Sequence, residues 1–187
     1  MSKKLSEMTL EELWKLFPIH LEKHNPSWLN WYNEEAEYLK SILPSKTEFH
    51  HIGSTAVNDI MAKPIIDILI VTTSIGEMKE SANTLANSDY LIMSTTENRI
   101  SLNKGYTENG FAEKVFHLHI RLEGDTDEIF FRDYLNAHPK TAKDYEQLKL
   151  SLWKKYEYNR DAYTNAKTGF IKKYTDLAKE QTRKIVL

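Results

Sequence analysis

Residues 51–70 read HIGSTAVNDIMAKPIIDILI and join a short glycine turn to an almost unbroken apolar run. The run is typical of a strand that is covered on both faces, yet it carries one carboxylate, Asp67, near its centre. An unpaired carboxylate buried in such a strand costs on the order of several kcal/mol, so Asp67 needs a hydrogen-bonding partner, an ion pair or a metal. A purely structural carboxylate, bonded to backbone N–H groups or paired with Lys63, is the alternative.

The turn in front of this strand favours an anionic ligand. A tight turn at Gly53 and Ser54, followed by a short helix, places backbone N–H groups and the Ser54 hydroxyl near Asp67. Phosphate groups suit that arrangement. Glycine also serves any tight turn, so this signal is weak when it stands alone.

Two histidines in the stretch VFHLHI, residues 115–120, supply further candidate ligands. Side chains alternate along a strand, so His117 and His119 project from one face while the apolar residues beside them take the other. If this strand lies next to that of Asp67, with His51 at the mouth of the turn, up to three nitrogens and one oxygen converge. Such a set prefers manganese, zinc or another transition ion over magnesium. Ordinary half-buried histidines bonded to carbonyl groups are the alternative.

The hydrophobic periodicity predicts helices before, within and after a small mixed sheet. Helices are predicted over residues 10–17, 25–43, 74–88, 127–138, 141–156 and 162–181, and strands over residues 48–53, 63–73, 90–95, 99–104 and 114–122. A loop through Gly105 and Gly110 separates the last two strands. We therefore expect an α/β (α+β) fold in one domain over residues 1–187, with a sheet core at about 47–121 and a helical C-terminal part at about 126–183.

The ends of two helices are also predicted. Thr9 and Glu12 have the spacing of a capping box in front of the first helix. Asn25 and Pro26 are expected as the N-cap and first residue of the second helix, which Pro44 stops.

The composition excludes several classes of protein. The chain has no cysteine, which rules out disulfides, zinc–thiolate sites and cysteine nucleophiles. No stretch approaches the roughly 20 apolar residues of a membrane span, so we expect no membrane partner and a cytoplasmic location. Lys+Arg 25 against Asp+Glu 27 gives a formal charge of -2, which argues against nucleic acid as a partner, although a local basic patch stays open.

Several motifs together closely resemble the GrpB family. They are HIGSTAV at residues 51–57, AKPIIDILI at 62–70, FHLHI at 116–120, FRDYLNAHP at 131–139, and the late residues Tyr163, Lys167, Phe170 and Ile171. The stretch NPSWLNWYNEEAEYLKSIL at residues 25–43 resembles the opening of that family, so the match covers about residues 20–175. This resemblance implies the nucleotidyltransferase superfamily, whose DNA polymerase beta-like palm is a mixed sheet flanked by helices with a helical C-terminal part.

The superfamily pattern is a hydrophobic residue, Gly, Gly or Ser, about a dozen residues, then Asp, a hydrophobic residue and a second acid. Ile52, Gly53 and Ser54 match its first part and Asp67 begins its second, but Leu69 stands where the second carboxylate belongs. In the superfamily, this acid and a third one on a later strand help hold two magnesium ions that assist the transfer. The resemblance therefore implies the fold, and the missing acid leaves the reaction open.

The strand spacing described above and the family resemblance together nominate a ligand site and its contents. Asp67 is the candidate catalytic residue, and the candidate metal ligands are Asp67, His117, His119 and His51. The candidate substrate-binding residues are Gly53, Ser54, Thr55, Lys63, Arg132 and Lys167, and Lys149 matches a further family position. The expected cofactor is one divalent ion, manganese, zinc or magnesium, and the expected partner is a nucleoside triphosphate or another phosphorylated small molecule. As alternatives, Arg132 could form a structural ion pair with Asp133, and Lys149 and Lys167 could lie on solvated helix faces.

Three functions follow from these residues. The first is metal-dependent transfer of a nucleotidyl group to an unknown acceptor. The second is a catalytically degenerate module that binds a nucleotide or another phosphorylated ligand, and the missing acid favours it. The third is hydrolysis or transfer on a different phosphorylated substrate, carried by a single ion among three imidazoles.

Overall fold

The computed structural model describes residues 3–186, in which five strands form a mixed sheet. The strands are β1 (Glu48–Ile52), β2 (Ile66–Thr72), β3 (Leu91–Thr95), β4 (Arg99–Thr107) and β5 (Gly110–Leu122), and their order in the sheet is β1-β2-β5-β4-β3. Strands β2 and β5 pair in parallel, and the other neighbours pair antiparallel.

Six α-helices surround the sheet in the described part of the chain. They are α1 (Leu10–Leu16), α2 (Ser27–Ile42), α3 (Ile75–Ala86), α4 (Asp127–Ala137), α5 (Pro139–Tyr156) and α6 (Arg160–Val186), and short 3₁₀ helices cover Leu5–Glu7 and Ser54–Ala56. The predicted fold class, a mixed sheet flanked by helices with a helical C-terminal part, is confirmed. Among these helices, none is both long and apolar enough to cross a membrane.

The predicted helix ends agree with the structure to within a residue. The Thr9 hydroxyl accepts a hydrogen bond from the Glu12 N–H at 3.3 Å, and the Glu12 carboxylate accepts one from the Thr9 N–H at 2.7 Å. The Asn25 side chain accepts a hydrogen bond from the Ser27 N–H at 2.9 Å, so it satisfies one of the free N–H groups at the start of α2. Helix α2 ends before Pro44.

Several predicted boundaries differ by two or more residues, and the difference between β4 and β5 changes the local structure. Strand β4 continues through Gly105 to Thr107 and β5 begins at Gly110, so a tight hairpin takes the place of the expected loop. At Gly105 φ is +89°, and a Cβ there would lie 2.4 Å from the carbonyl oxygen of Lys114. The register of the two strands shifts at this point. Gly105 therefore permits a bulge inside the strand, where the sequence pattern predicts a break.

The two faces of the central strands are covered by different helices. Ile68 of β2 and Leu118 of β5 pair in register on the face that packs against α2 and α3. The same core contains Trp28, Leu39, Ile66, Ile70, Met78, Ala82, Leu85, Phe116 and Ile120.

The C-terminal helices cover the opposite face. Ile129 of α4 packs against Leu69 and Val71 of β2, so one end of this face is apolar. Toward the other end, around Asp67, the sheet and the helices α5 and α6 separate and leave a cleft of about 710 Å³.

Candidate functional site

Asp67 on β2 and two histidines on β5 form the centre of the cleft. The parallel register places Asp67 beside His117, and alternation along β5 brings His119 to the same face. The His117 Nδ1 lies 3.3 Å and the His119 Nε2 3.2 Å from the same oxygen, Oδ1 of Asp67. The structure therefore brings together the carboxylate and the two imidazoles that the sequence nominates as metal ligands, and we call these three side chains the Asp–His cluster.

The electrostatics of the Asp–His cluster keep the carboxylate ionised. Burial raises the pKa of Asp67, but hydrogen bonds from His117 and His119, together with their charge, hold that pKa well below its usual range. Burial lowers the pKa of His117 in spite of the carboxylate beside it. The Nδ1 of His117 faces the ionised Asp67, so in the neutral form of this imidazole the carboxylate favours the tautomer with its proton on Nδ1.

The donor atoms fit one transition ion. The three candidate ligand atoms lie within 4.8 Å of one another, and they comprise one carboxylate oxygen and two imidazole nitrogens. They do not fit two magnesium ions, which need several carboxylates. Leu69, at the position of the second acid, is fully buried and packs against Ile52 and Val71.

The glycine turn closes tightly on Asp67. Gly53 has φ of +71°, and a Cβ at this position would lie 2.3 Å from the Asp67 Oδ2. No residue with a side chain can therefore take this place without moving the carboxylate. Ser54 and Thr55 follow in the 3₁₀ helix and line the cleft.

Among the described residues, six basic side chains line the cleft, and two of them, Arg99 and Lys172, form ion pairs with carboxylates. The other four lie beside the Asp–His cluster. Lys63 precedes β2, Lys149 lies on α5, and Arg160 and Lys167 lie on α6. We call this group the basic wall. Lys149 is 2% exposed, and its ammonium group donates a hydrogen bond to the carbonyl oxygen of Met61.

Burial makes the charged form of the amines in the basic wall unfavourable, and a bound anion would offset this free-energy cost. Burial lowers the pKa of Lys63 to about 7, that of Lys149 to about 7 and that of Lys167 to about 8. The positive charge of Lys167 also lowers the pKa of Lys63 and of Lys149. An anionic ligand would favour the charged form of each amine, so the wall suits a phosphate group.

Tyr163 lies between two members of the basic wall. Its fully buried ring has the Lys63 Nζ 5.5 Å and the Lys167 Nζ 4.4 Å from its centroid. The ring thus contacts both ammonium groups through its π face. Within residues 3–186 its hydroxyl has no hydrogen-bond partner.

The structure does not bring His51 to the Asp–His cluster. His51 pairs in register with Ile68, so its side chain lies on the face opposite that of Asp67. There it stacks on Tyr32 with 4.8 Å between ring centroids, and its Nε2 lies 3.0 Å from the Thr55 hydroxyl. The expected set of three nitrogens is therefore corrected to two, because alternation turns His51 away.

Arg132 also lies away from the cleft lining. Its guanidinium donates hydrogen bonds to the His51 carbonyl oxygen at 2.8 Å and to Asp133 at 2.7 Å. The ion pair with Asp133 matches the structural alternative. The hydrogen bond to His51 in addition joins α4 to β1.

Sequence reasoning missed three residues of the site. Arg160 and Tyr163 precede Lys167 by seven and four positions on α6, which places all three on one helix face, and this spacing could have found them. Tyr106, whose hydroxyl lies 2.8 Å from the His117 Nε2, carries no such signal, because the bulge at Gly105 sets its direction.

Comparison with known proteins identifies the family of this chain. The GrpB protein family matches residues 18–177. The chain belongs to the GrpB family. The resemblance read from the motifs is thereby confirmed.

Relatives of this GrpB protein share about a third of its residues. The glutamate-rich protein GrpB of Alkalihalophilus pseudofirmus is 33% identical over 157 residues, which are 81% of this chain and 90% of that protein. The UPF0157 protein YqkA of Bacillus subtilis is 31% identical over 183 residues, which are 94% of this chain. The chain spans 52% of the length of YqkA.

Solved structures support the fold. The conserved protein GrpB from Enterococcus faecalis superimposes with a TM-score of 0.75 at 31% identity, covering 87% of this chain and 99% of that one. A structure of Cid1, which has RNA terminal uridylyl transferase activity, gives a TM-score of 0.50 at 13% identity and covers 79% of this chain and 44% of that one. This second likeness shows a nucleotidyltransferase-like fold and nothing about activity.

Proposed function

We propose that this GrpB protein binds a nucleoside triphosphate in the cleft, together with one divalent ion, and transfers the nucleotidyl group to an acceptor. One observation carries the proposal: the Asp–His cluster and the basic wall line the same cleft. The cluster supplies ligands for a cation, and the wall supplies charge for a polyphosphate. A metal–nucleotide complex needs both kinds of group at close range.

The basic wall and the glycine turn supply different kinds of hydrogen-bond donor to the ligand. Lys63 and Lys167 donate charge-assisted hydrogen bonds to phosphate oxygens, and the Ser54 hydroxyl with the backbone of the turn supplies neutral donors. The Tyr163 hydroxyl is a further donor, since it is buried in the lining without a partner among the described residues.

In the reaction, an acceptor hydroxyl oxygen forms a bond to the α-phosphorus while the bond to the bridging oxygen of the β-phosphate breaks. Pyrophosphate leaves, and the hydroxyl proton passes to the solvent. The bound ion would supply charge neutralisation at the phosphate oxygens. Asp67 and the two histidines hold the ion in place, and Lys63 and Lys167 stabilise the charge on the departing pyrophosphate.

Calorimetric titration of metal-stripped protein tests the metal half of this proposal. Manganese or zinc is expected to bind more tightly than magnesium, and Asp67→Ala is expected to abolish binding. Asp144→Ala on α5, which removes an exposed carboxylate outside the cleft lining, is the matched control. Absence of both metal and nucleotide binding at millimolar concentration overturns the proposal.

A non-hydrolysable triphosphate analogue tests the basic wall. Lys167→Gln is expected to weaken analogue binding about tenfold, because it removes one charge-assisted contact worth roughly 1.5 kcal/mol. Lys173 lies on the same helix outside the cleft lining, so Lys173→Gln serves as the matched control. Equal affinity of both variants and the wild type would show that the wall does not hold the phosphates.

A second function, ligand binding without transfer, is favoured by Leu69. The buried leucine leaves Asp67 as the sole acid of the two-acid pattern, and one carboxylate with two imidazoles holds one ion. Pyrophosphate release from a nucleoside triphosphate discriminates the two functions. Release that disappears in Asp67→Ala supports transfer, whereas tight binding of metal and nucleotide without release supports the binding module.

The hypothesis of three imidazoles around one ion loses its basis. It depends on His51, which lies on the other face of the sheet.

A further inference from the structure

His117 makes a hydrogen bond that neither the sequence pattern nor the proposed ligand set includes. While its Nδ1 faces Asp67, its Nε2 lies 2.8 Å from the hydroxyl oxygen of Tyr106 on β4. The two rings are nearly parallel, with 21° between their planes and 5.9 Å between their centroids. Both nitrogens of this imidazole therefore have a defined partner.

The position of the Tyr106 ring is set by its surroundings. Phe17 and Phe111 pack against it with centroid distances of 4.7 Å and 5.1 Å, and the guanidinium carbon of Arg160 lies 5.4 Å from its centroid. The bulge at Gly105 turns the side chain toward the cleft. Aromatic contacts on several sides restrict the ring and so fix the hydroxyl opposite Nε2.

The chemistry of the imidazole decides which way this hydrogen bond points. Without a metal, an imidazole whose single proton lies on Nδ1, the nitrogen that faces Asp67, has a free lone pair on Nε2, and the Tyr106 hydroxyl donates to it. When Nδ1 gives its lone pair to a metal, the single ring proton must lie on Nε2, and the Tyr106 oxygen accepts it. A hydroxyl group serves in both directions, because it is at once a donor and an acceptor.

We infer that Tyr106 is a positioning residue for metal binding, which reverses its hydrogen bond to hold His117 as a ligand through Nδ1. Histidines that bind metals generally donate their other ring N–H to an oxygen, and loss of that oxygen typically lowers metal affinity 10- to 100-fold. The inference rests on the proposed function, since it needs the ion at the Asp–His cluster.

Calorimetry with zinc and manganese on metal-stripped protein is the first test. Tyr106→Phe keeps the ring and is expected to weaken binding about 10- to 100-fold. Tyr32→Phe on the opposite face removes a hydroxyl that donates to the Phe49 carbonyl, and it is expected to leave affinity unchanged. In a His117→Ala background Tyr106→Phe should have no further effect, because its action runs through that imidazole.

Nitrogen-15 NMR of the histidine rings adds a readout that does not depend on activity. In the metal-free protein, Tyr106→Phe is expected to shift the Nε2 resonance of His117 and to leave its Nδ1 resonance in place. In the zinc-loaded protein, the Nε2 proton is expected to exchange with water faster in Tyr106→Phe than in the wild type.

The outcomes separate the two proposals. If the wild type binds metal and Tyr106→Phe binds it equally well, the role of Tyr106 is overturned and the metal site stands. If the wild type binds no metal, the proposed function fails at its first step and the inference falls with it. If Tyr106→Phe lowers metal affinity by the same factor in the wild-type and His117→Ala backgrounds, the tyrosine acts on the fold and not through the histidine.

Discussion

The two faces of the sheet are made from the same strands, yet they differ in what their side chains can do. On one face Ile68 and Leu118 are fully buried against α2 and α3. On the other, the adjacent residues Asp67 and His117 open into the cleft under α5 and α6. Because neighbours along a strand alternate, the buried core and the proposed ligand site occupy alternate positions of one segment, and single substitutions can separate stability from the proposed binding.

The largest effect is expected on the apolar face. Ile68→Ala removes buried methyl and methylene groups from the main core, and it should lower the free energy of unfolding by about 2–5 kcal/mol. Metal affinity of the folded variant should be unchanged, since Ile68 points away from the cluster. Urea denaturation measures the first quantity and calorimetry the second. A folded Ile68→Ala protein that had lost metal binding would break the separation of the two faces.

The pH dependence of stability provides a second test of the difference between the two faces. It depends on His51, which is a polar residue on the apolar face. Burial lowers its pKa to about 4. Between pH 6.5 and 4 this imidazole is protonated in the unfolded chain and neutral in the folded chain. The free energy of unfolding therefore falls by roughly 3 kcal/mol as the pH falls through this range. His51→Gln should remove this part of the decline when unfolding is followed at several pH values.

Asp67 contributes to this slope of stability against pH in the same direction, because its pKa is lowered in the folded chain. The quantity to compare is therefore the difference in stability between His51→Gln and the wild type at each pH. An unchanged slope in His51→Gln would mean that water reaches this imidazole.

The smallest effect is expected at Arg132, which the family pattern nominates for the ligand. Arg132→Gln should lower the free energy of unfolding by about 1–2 kcal/mol, because the hydrogen bond to the His51 carbonyl is lost. Triphosphate affinity should stay that of the wild type, in contrast to Lys167→Gln. A binding defect in folded Arg132→Gln protein would place this guanidinium at the ligand after all.

The sequence predicts most of the sheet because the relevant signals are local. Alternation alone places His117 and His119 on one face, and the apolar run around Asp67 identifies a strand covered on both sides. Their meeting depends only on whether the two strands are neighbours. The parallel pairing of β2 with β5 confirms that condition.

The remainder of the site depends on information that periodicity does not contain. The face on which the His51 side chain lies depends on the pairing register of β1, because a shift of one residue exchanges the two faces of a strand. Lys149 lies on α5, whose docking follows from packing over the whole sheet, so this lysine has the same local pattern as one on a solvated helix face. Tyr106 needs the bulge at Gly105, which the sequence presents as an ordinary glycine in a loop.

The parallel pairing of β2 with β5 has a consequence for how the chain folds. The Asp67 carboxylate and the His119 imidazole are 52 positions apart in the chain and 3.2 Å apart in space. Helix α3 and strands β3 and β4 must be traversed before these residues can meet, and contacts across so long a loop form late because the entropy of closing it is lost first. The Asp–His cluster is therefore assembled only when the central strand pair closes, late in folding.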